Sequence, residues 1–224
     1  MSGNFLPAAR KLVFLGEAGC GKSEIAMQLA LELAAQGRPV HFFDLDQTKP
    51  LMRSRDAAAL LEEGGVTVHF SEQYADAPTQ TGGLTPLLDG SSTVLLDVGG
   101  NDTGARLIGG CAHLLRTAAV YFVVNPYRPW SGTAAHIDGT LSAVLRASRL
   151  QAPRFLLNPN LGRHTTAQEY LDGLAQGLAL LTPYVAVEAA AVPDALYAQV
   201  RSRTGLPLLR ITPRITVPET GLDE

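Results

Sequence analysis

Cysteine is scarce in this chain: Cys20 and Cys111 are its only two among 224 residues. They lie far apart, one of them inside a glycine-rich loop. That excludes a disulfide scaffold and leads us to expect a reducing compartment. Long apolar runs are missing as well. No segment approaches the ~20 consecutive apolar residues a membrane span needs, and Met1–Arg10 lacks the apolar core of a secretion signal. An excess of one charge is also absent. A formal net charge of −3 gives no global electrostatic case for nucleic acid. Internal repeats and low-complexity tracts are not found. The expectation is a soluble, cytoplasmic protein whose 46% hydrophobic content can fill a sizeable core.

What the chain does contain is alternation. Short apolar runs at Lys11–Leu15, Val40–Asp44, Val66–Phe70, Thr93–Asp97, Ala119–Val124, Arg154–Leu157 and Tyr184–Glu188 read as strands. Several are apolar throughout, as strands covered on both faces are. Helix-period segments fall between them, at Ser23–Gln36, Met52–Glu63, Ala105–Leu115, Ala134–Ser148, Thr166–Leu181 and Asp194–Arg203. Thr165 or Thr166 with Glu169 forms a capping box, and Gly37-Arg38-Pro39 stops the first helix. The pattern predicts an α/β fold of three layers, a mostly parallel sheet with helices on both faces. Asp76–Thr93 reads as a long loop or short helix. The chain divides into a domain over 1–211 and a tail over 212–224, expected to add an edge strand and then fray.

One segment carries specific chemistry. Gly16-Glu17-Ala18-Gly19-Cys20-Gly21-Lys22-Ser23 is a complete G-x-x-x-x-G-K-S phosphate loop, with a strand before it and a helix after it. Glycines let the backbone bend until successive N–H groups point at phosphate oxygens, and the helix N-terminus adds partial positive charge. Lys22 is expected to reach the β- and γ-phosphates, Ser23 to ligate Mg²⁺, and Glu24 to complete the nucleotide-binding stretch. Thr93–Asp97 supplies a hydrophobic strand ending in a carboxylate, so Asp97 is expected to hold Mg²⁺ through water. Glycine then follows at Gly99, as in a segment that senses the γ-phosphate. Asp44 and Asp46 leave the second strand two residues apart. One is expected to buttress the Mg²⁺ shell while the other places the attacking water.

These motifs in this order resemble the MinD/ParA branch of the SIMIBI P-loop ATPases, a group that includes metal-centre insertion and anion-pump ATPases. Asp44-Leu45-Asp46-Gln47 resembles its switch I stretch, and Asp97-Val98-Gly99 its Walker B and switch II. Phe155–Asn160 falls where the group carries a strand ending in asparagine, which implies that the Asn158 amide reads the base. Ala191-Val192-Pro193-Asp194 is similar to the group's turn near adenine, which implies a nucleotide contact for Pro193. The resemblance spans roughly residues 11–211 and implies the P-loop NTPase fold, with ATP and Mg²⁺ as cofactors. It departs at Glu17. The group places there a lysine that crosses a dimer, so neither the nucleotide-sandwich dimer nor its activation carries over. The metallochaperone GTPase branch keeps an ordinary loop and enters as an alternative. ATP is favoured over GTP, because Asn158-Pro159-Asn160 lacks the lysine and aspartate of N-K-x-D.

Other residues are less specific. Cys111 reads as a buried free cysteine, since zinc wants about four ligands. Cys20 reads as filling a small-residue position in the loop; its place near phosphate and a helix N-terminus also allows a lowered thiol pKa and reactivity. Asn125–Trp130 follows a strand on the ligand-binding edge and reads equally as a partner surface or a packed lid. Arg106 either senses γ-phosphate or pairs with Asp102. No residue is an evident built-in arginine finger, a device worth roughly 10³–10⁵ in rate. The reading is a slow ATPase switch with Lys22, Asp46 and Asp44 as catalytic residues, stimulated by a protein partner or a second copy. The alternatives are a cofactor or metal-centre maturation NTPase and a non-hydrolysing, nucleotide-gated binding module.

Overall fold

The computed structural model describes residues 5–45, 51–70, 83–99 and 102–214 of the chain. Eight strands form one sheet: β1 (Lys11–Leu15), β2 (Val40–Leu45), β3 (Val66–Phe70), β4 (Thr93–Val98), β5 (Ala119–Val124), β6 (Arg154–Leu157), β7 (Val187–Pro193) and β8 (Leu208–Ile211). Their order is β3-β2-β4-β1-β5-β6-β7-β8, and every pairing is parallel. β1 is therefore central, and the chain reverses its direction of travel on either side of it. Ligands of open parallel sheets gather at such a switch point, outside the carboxyl ends of the strands.

Helices cover both faces, as the alternation requires. Against one face lie α1 (Lys22–Ala35) and α2 (Leu51–Glu63), packing Ile25, Leu29, Leu33 and Leu61 on Leu12, Phe14, Phe42 and Leu95. The other face carries α3 (Leu84–Asp89), α4 (Asp102–Gly109), α5 (Ala134–Ser148), α6 (Ala167–Leu181) and α7 (Asp194–Val200). These bury Leu84, Ile108, Val144, Tyr170 and Val200 on Val13, Phe43, Leu96 and Phe122. α6 starts where the sequence places it: Thr166 accepts from the Glu169 N–H, and Glu169 in turn accepts from the Thr166 N–H. Those bonds favour the ionised carboxylate and hold Glu169 below the usual range.

Several boundaries differ from expectation. The seventh strand is not Tyr184–Glu188 but Val187–Pro193, over Ala189-Ala190-Ala191. Alanine is a poor strand former, yet these side chains are buried between β6 and β8, and pairing overrides propensity. The added edge strand lies at Leu208–Ile211, ahead of Thr212. The expected helix Ala105–Leu115 ends at Gly109, and a separate 3₁₀ turn covers Ala112–Leu115. A Cβ on Gly109 would sit 2.7 Å from the Ala147 carbonyl, so the close passage of α4 over α5 requires glycine there. Finally, α7 stops at Val200 instead of Arg203. Within Asp76–Thr93 the described part contains α3.

Along the β2–β3 edge of the sheet, His41 and His69 stand side by side, His69 in register with Phe43. Their Nδ1 and Nε2 atoms are 3.0 Å apart, and the His69 ring stacks on Phe43. Burial lowers both pKa values, and for His69 the neighbouring His41 lowers it further. The folded chain thus binds these protons less readily than the unfolded chain, whose histidines titrate near ~6.5. Stability should be insensitive to this pair above that pH and fall as pH drops below it. Thermal melts between pH 7.5 and 5 should show a smaller loss for His41→Gln/His69→Gln than for the parent chain.

Candidate functional site

β1 delivers the chain to the middle of the sheet edge, and the phosphate loop turns there into α1. Gly16, Gly19 and Gly21 all take positive φ, at 145°, 72° and 91°. At two of these positions space also forbids a side chain. A Cβ on Gly16 would lie 2.7 Å from the Val123 carbonyl oxygen, and one on Gly21 would lie 2.1 Å from Asn158 Nδ2. The loop therefore lies tight against the ends of β5 and β6. Cys20 N–H donates to the Glu17 carbonyl at 3.3 Å, closing the turn, and Ile25 N–H donates to Gly21 O at 3.1 Å as α1 begins. Ala18 and Gly19 form the exposed apex, while Lys22 and Ser23 are buried at 4% and 8% exposure in the first turn of α1.

Two carboxylates stand beside this loop. Asp97 on β4 is in register with Phe14 of β1 and with Asp44 of β2, so both acids reach the same end of adjacent strands. Strand alternation puts them on the α1 side, with Phe42 and Leu95. Asp97 is fully buried and Asp44 is 9% exposed. Burying like charges together is unfavourable unless cations compensate, and Lys22 sits in the loop next to them. Asp46 lies outside the described residues.

Neighbouring segments brace the loop from the side. Asn158, just past β6, donates its Nδ2 to the Cys20 carbonyl at 2.8 Å, while its own N–H continues the ladder to Val124 O at 2.9 Å. Arg128, past β5, donates its Nε to the Gly19 carbonyl at 3.0 Å. Glu17 accepts from the hydroxyl of Thr140 on α5. This is how the chain accommodates a carboxylate at the second loop position: a hydroxyl donor on α5 meets it. The turn carrying Arg128 is itself fixed. Buried Asn125 donates to Asn160 O at 2.8 Å and accepts from Tyr127 N–H at 3.1 Å, and the Tyr127 hydroxyl donates to the Glu169 carbonyl.

With this geometry established, comparison with known proteins becomes specific. No family model matches the chain. A stretch of 80 residues, 33% of the chain, is 36% identical to the cytosolic Fe-S cluster assembly factor cfd1 of Aspergillus clavatus, covering 25% of that protein. A stretch of 65 residues, 26% of the chain, is 43% identical to cfd1 of Aspergillus oryzae, covering 21% of it. The chain thus matches about a quarter of the length of these curated relatives. Among solved structures, chloroplast FtsY from Physcomitrella patens superposes with a TM-score of 0.51 at 14% identity, over 85% of this chain and 61% of that one. The signal recognition particle receptor FtsY from Elizabethkingia anophelis gives 0.50 at 13% identity, over 82% and 59%. These superpositions show the P-loop NTPase fold.

Within that fold the remaining sequence expectations find their places. The Asn158 amide nitrogen, expected toward the base, is engaged by the loop carbonyl of Cys20. Pro193 ends β7 and leads into α7, paired in register with Ile211. The two carboxylate oxygens of Glu24 accept the Arg214 backbone N–H at 3.1 and 3.2 Å. Arg214 also donates its guanidinium to Gln28, so residues 212–214 are tied along α1. Arg106 is exposed on α4. The 125–130 segment is packed on the loop, although Trp130 keeps 38% of its surface exposed. Sequence reading missed Arg128 and Thr140 as loop contacts, because no local pattern links them to Gly19 and Glu17 over more than 100 residues. The only available signal was the position of Asn125–Trp130 after an inner strand.

Of the two readings of Cys20, burial fits the small-residue filler and speaks against the reactive thiol. Burial pushes its thiol up to about 11, outweighing the pull of the Lys22 ammonium. Cys111 is buried too, donates to Ile108 O at 3.3 Å, and is likewise raised by desolvation. Among the described residues no group of three or more His, Cys, Asp or Glu side chains is placed to hold a metal. Thiol titration at pH 8 should find neither cysteine reacting in the native protein on the timescale that releases both in denaturant. Fast modification of Cys20 in the native chain would contradict the packing described.

Proposed function

We propose that the chain binds a magnesium nucleoside triphosphate at Gly16–Ser23, ATP ahead of GTP, and hydrolyses it slowly as a nucleotide-dependent switch of MinD/ParA-like type. The observation that carries this reading is one convergence. A left-handed glycine loop, the buried Lys22 and Ser23, and the buried Asp44 and Asp97 meet at the switch point of a parallel sheet. The loop cradle that excludes a Cβ at two positions fits a phosphate group, and the hydroxyl and carboxylate donors fit a hard, oxygen-seeking cation. Ser23 would hold Mg²⁺ directly and Asp97 through water. When bound, the ion supplies neutralisation of the phosphate charge.

The chain's own groups do the rest by positioning. Loop N–H groups and the Lys22 ammonium donate to phosphate oxygens. Asp46 or Asp44 accepts a hydrogen bond from the attacking water and orients it. Hydrolysis alters Asp44–Pro50 and Val98–Gly110, the stretches leaving β2 and β4, and a protein partner or a second copy reads the change. We take 1–211 as the NTPase domain and 212–224 as its tail. The curated relatives favour a second reading, in which the same cycle delivers a metal centre as cargo, as their names describe for them.

Purified protein should bind Mg-ATP, with Lys22→Ala weakening it roughly 100-fold, the scale of removing one preorganised donor from an anion cradle. Asp46→Ala and Asp44→Asn should retain binding, and at least one of them should lose turnover. Tighter binding of Mg-GTP would move the metallochaperone alternative ahead, and failure of both nucleotides to bind would refute the reading.

A further inference from the structure

The phosphate loop of this chain carries a carboxylate at Glu17 and, besides Lys22, a cation fixed to it from another part of the same chain. Arg128 lies 109 residues from Gly19 in sequence, yet its Nε donates to the Gly19 carbonyl at 3.0 Å. Its guanidinium lies along the loop apex. A Cβ on Gly19 would be 3.6 Å from Nε, 3.8 Å from Cζ and 4.0 Å from Nη2. Among the described residues the terminal Nη groups meet no acceptor, whereas the backbone of the turn is fully engaged. Arg128 N–H donates to Asn125 O at 3.0 Å, and the Arg128 carbonyl accepts Ser131 N–H at 2.9 Å. Buried Asn125 and the Tyr127 hydroxyl lock the same turn to Asn160 and Glu169. Placing an arginine this rigidly on an exposed apex costs side-chain entropy, and one bond to a carbonyl repays little of it.

We propose that Arg128 is a positioning residue for the triphosphate, supplied within the chain. Its Nε holds the Gly19 carbonyl outward, which keeps the loop N–H groups turned inward. Its terminal Nη groups place positive charge beside the γ-phosphate end of the loop. A planar guanidinium suits this dual task, since one edge can bind a carbonyl while the other meets phosphate oxygens. The loop thereby regains the positive charge that Glu17 removes. The Glu17 carboxylate is drawn aside by Thr140. The inference rests on the nucleotide-binding reading above and adds a preference for triphosphate over diphosphate.

The test compares Mg-ATP with Mg-ADP, and Mg-GTP with Mg-GDP, by calorimetry at low and at physiological salt, using the full chain and its Arg128→Gln, Arg128→Lys and Lys22→Ala variants. Arg128→Gln should weaken triphosphate about tenfold, the scale of one lost charged hydrogen bond, and diphosphate by less. Its triphosphate affinity should also depend less steeply on salt, because a charge facing the ligand has gone. Arg128→Lys should recover the salt dependence but only part of the affinity. If Arg128→Gln unfolds, as judged by its melt, Arg128→Lys alone decides: parental affinity for both nucleotides overturns the role of the fork. Equal weakening of tri- and diphosphate with an unchanged salt slope would make Arg128 a purely structural brace and overturn the proposal, while loss of binding in Lys22→Ala would leave the nucleotide reading standing. A parent chain that binds no nucleotide would overturn both.

Discussion

Everything at the functional edge depends on how closely the phosphate loop approaches the ends of β5 and β6. Gly16 nearly touches the Val123 backbone, and Gly21 lies under the Asn158 amide. No L-residue with a Cβ fits either place, so the loop conformation is imposed by the sheet as much as by local turn chemistry. The arrangement then needs donors for the loop carbonyls. Asn158 supplies one at Cys20 and Arg128 supplies one at Gly19. The buried Cys20 carbonyl, left without a donor, would cost about 1–3 kcal/mol, whereas the Gly19 carbonyl lies on the exposed apex. The two strands that wall the loop therefore also end in the residues that complete it, and the 125–131 turn is rigid because it serves the loop.

Two regions of the sheet hold titratable groups. Beside the loop, Lys22, Asp44 and Asp97 are buried, the two acids in register on adjacent strands. Such a cluster gives little stability, because desolvation offsets most of the attraction. Its presence is better explained by what it can bind. On the β2–β3 edge, burial lowers the pKa of both His41 and His69, and His41 lowers that of His69 further, so this pair is a source of pH sensitivity.

Much of this was legible in the sequence. Uninterrupted apolar runs such as Thr93–Leu96 announce strands covered on both sides, and the glycine and lysine spacing of residues 16–23 announces the loop. That Asp44 and Asp97 each end a hydrophobic run was also readable, whereas their register on adjacent strands came only with the structure. What escaped depended on tertiary context. Ala189-Ala190-Ala191 forms a strand only because neighbours on both sides supply its ladder. Gly109 breaks a helix only because α5 passes close by. The two readings of Cys20 separate only when the core closes around it, where desolvation outweighs local charge. Arg128 and Thr140 belong to the loop through packing alone, and no spacing rule reaches that far.

The fate of Glu17 links these points to regulation. A carboxylate at the second loop position repels phosphate unless it is held elsewhere, and here α5 holds it through Thr140. The loop's charge therefore depends on where α5 sits, and α5 packs directly on α4, which follows the Asp97 strand. A change after β4 on nucleotide hydrolysis would reach α5 through that contact, and through Thr140 would return to the loop. In this arrangement the cations that the described residues bring to the loop, Lys22 and Arg128, come from one chain. On the proposed reading, a second copy or partner would act on the equilibrium of the segments around the site, with no need to complete its charge.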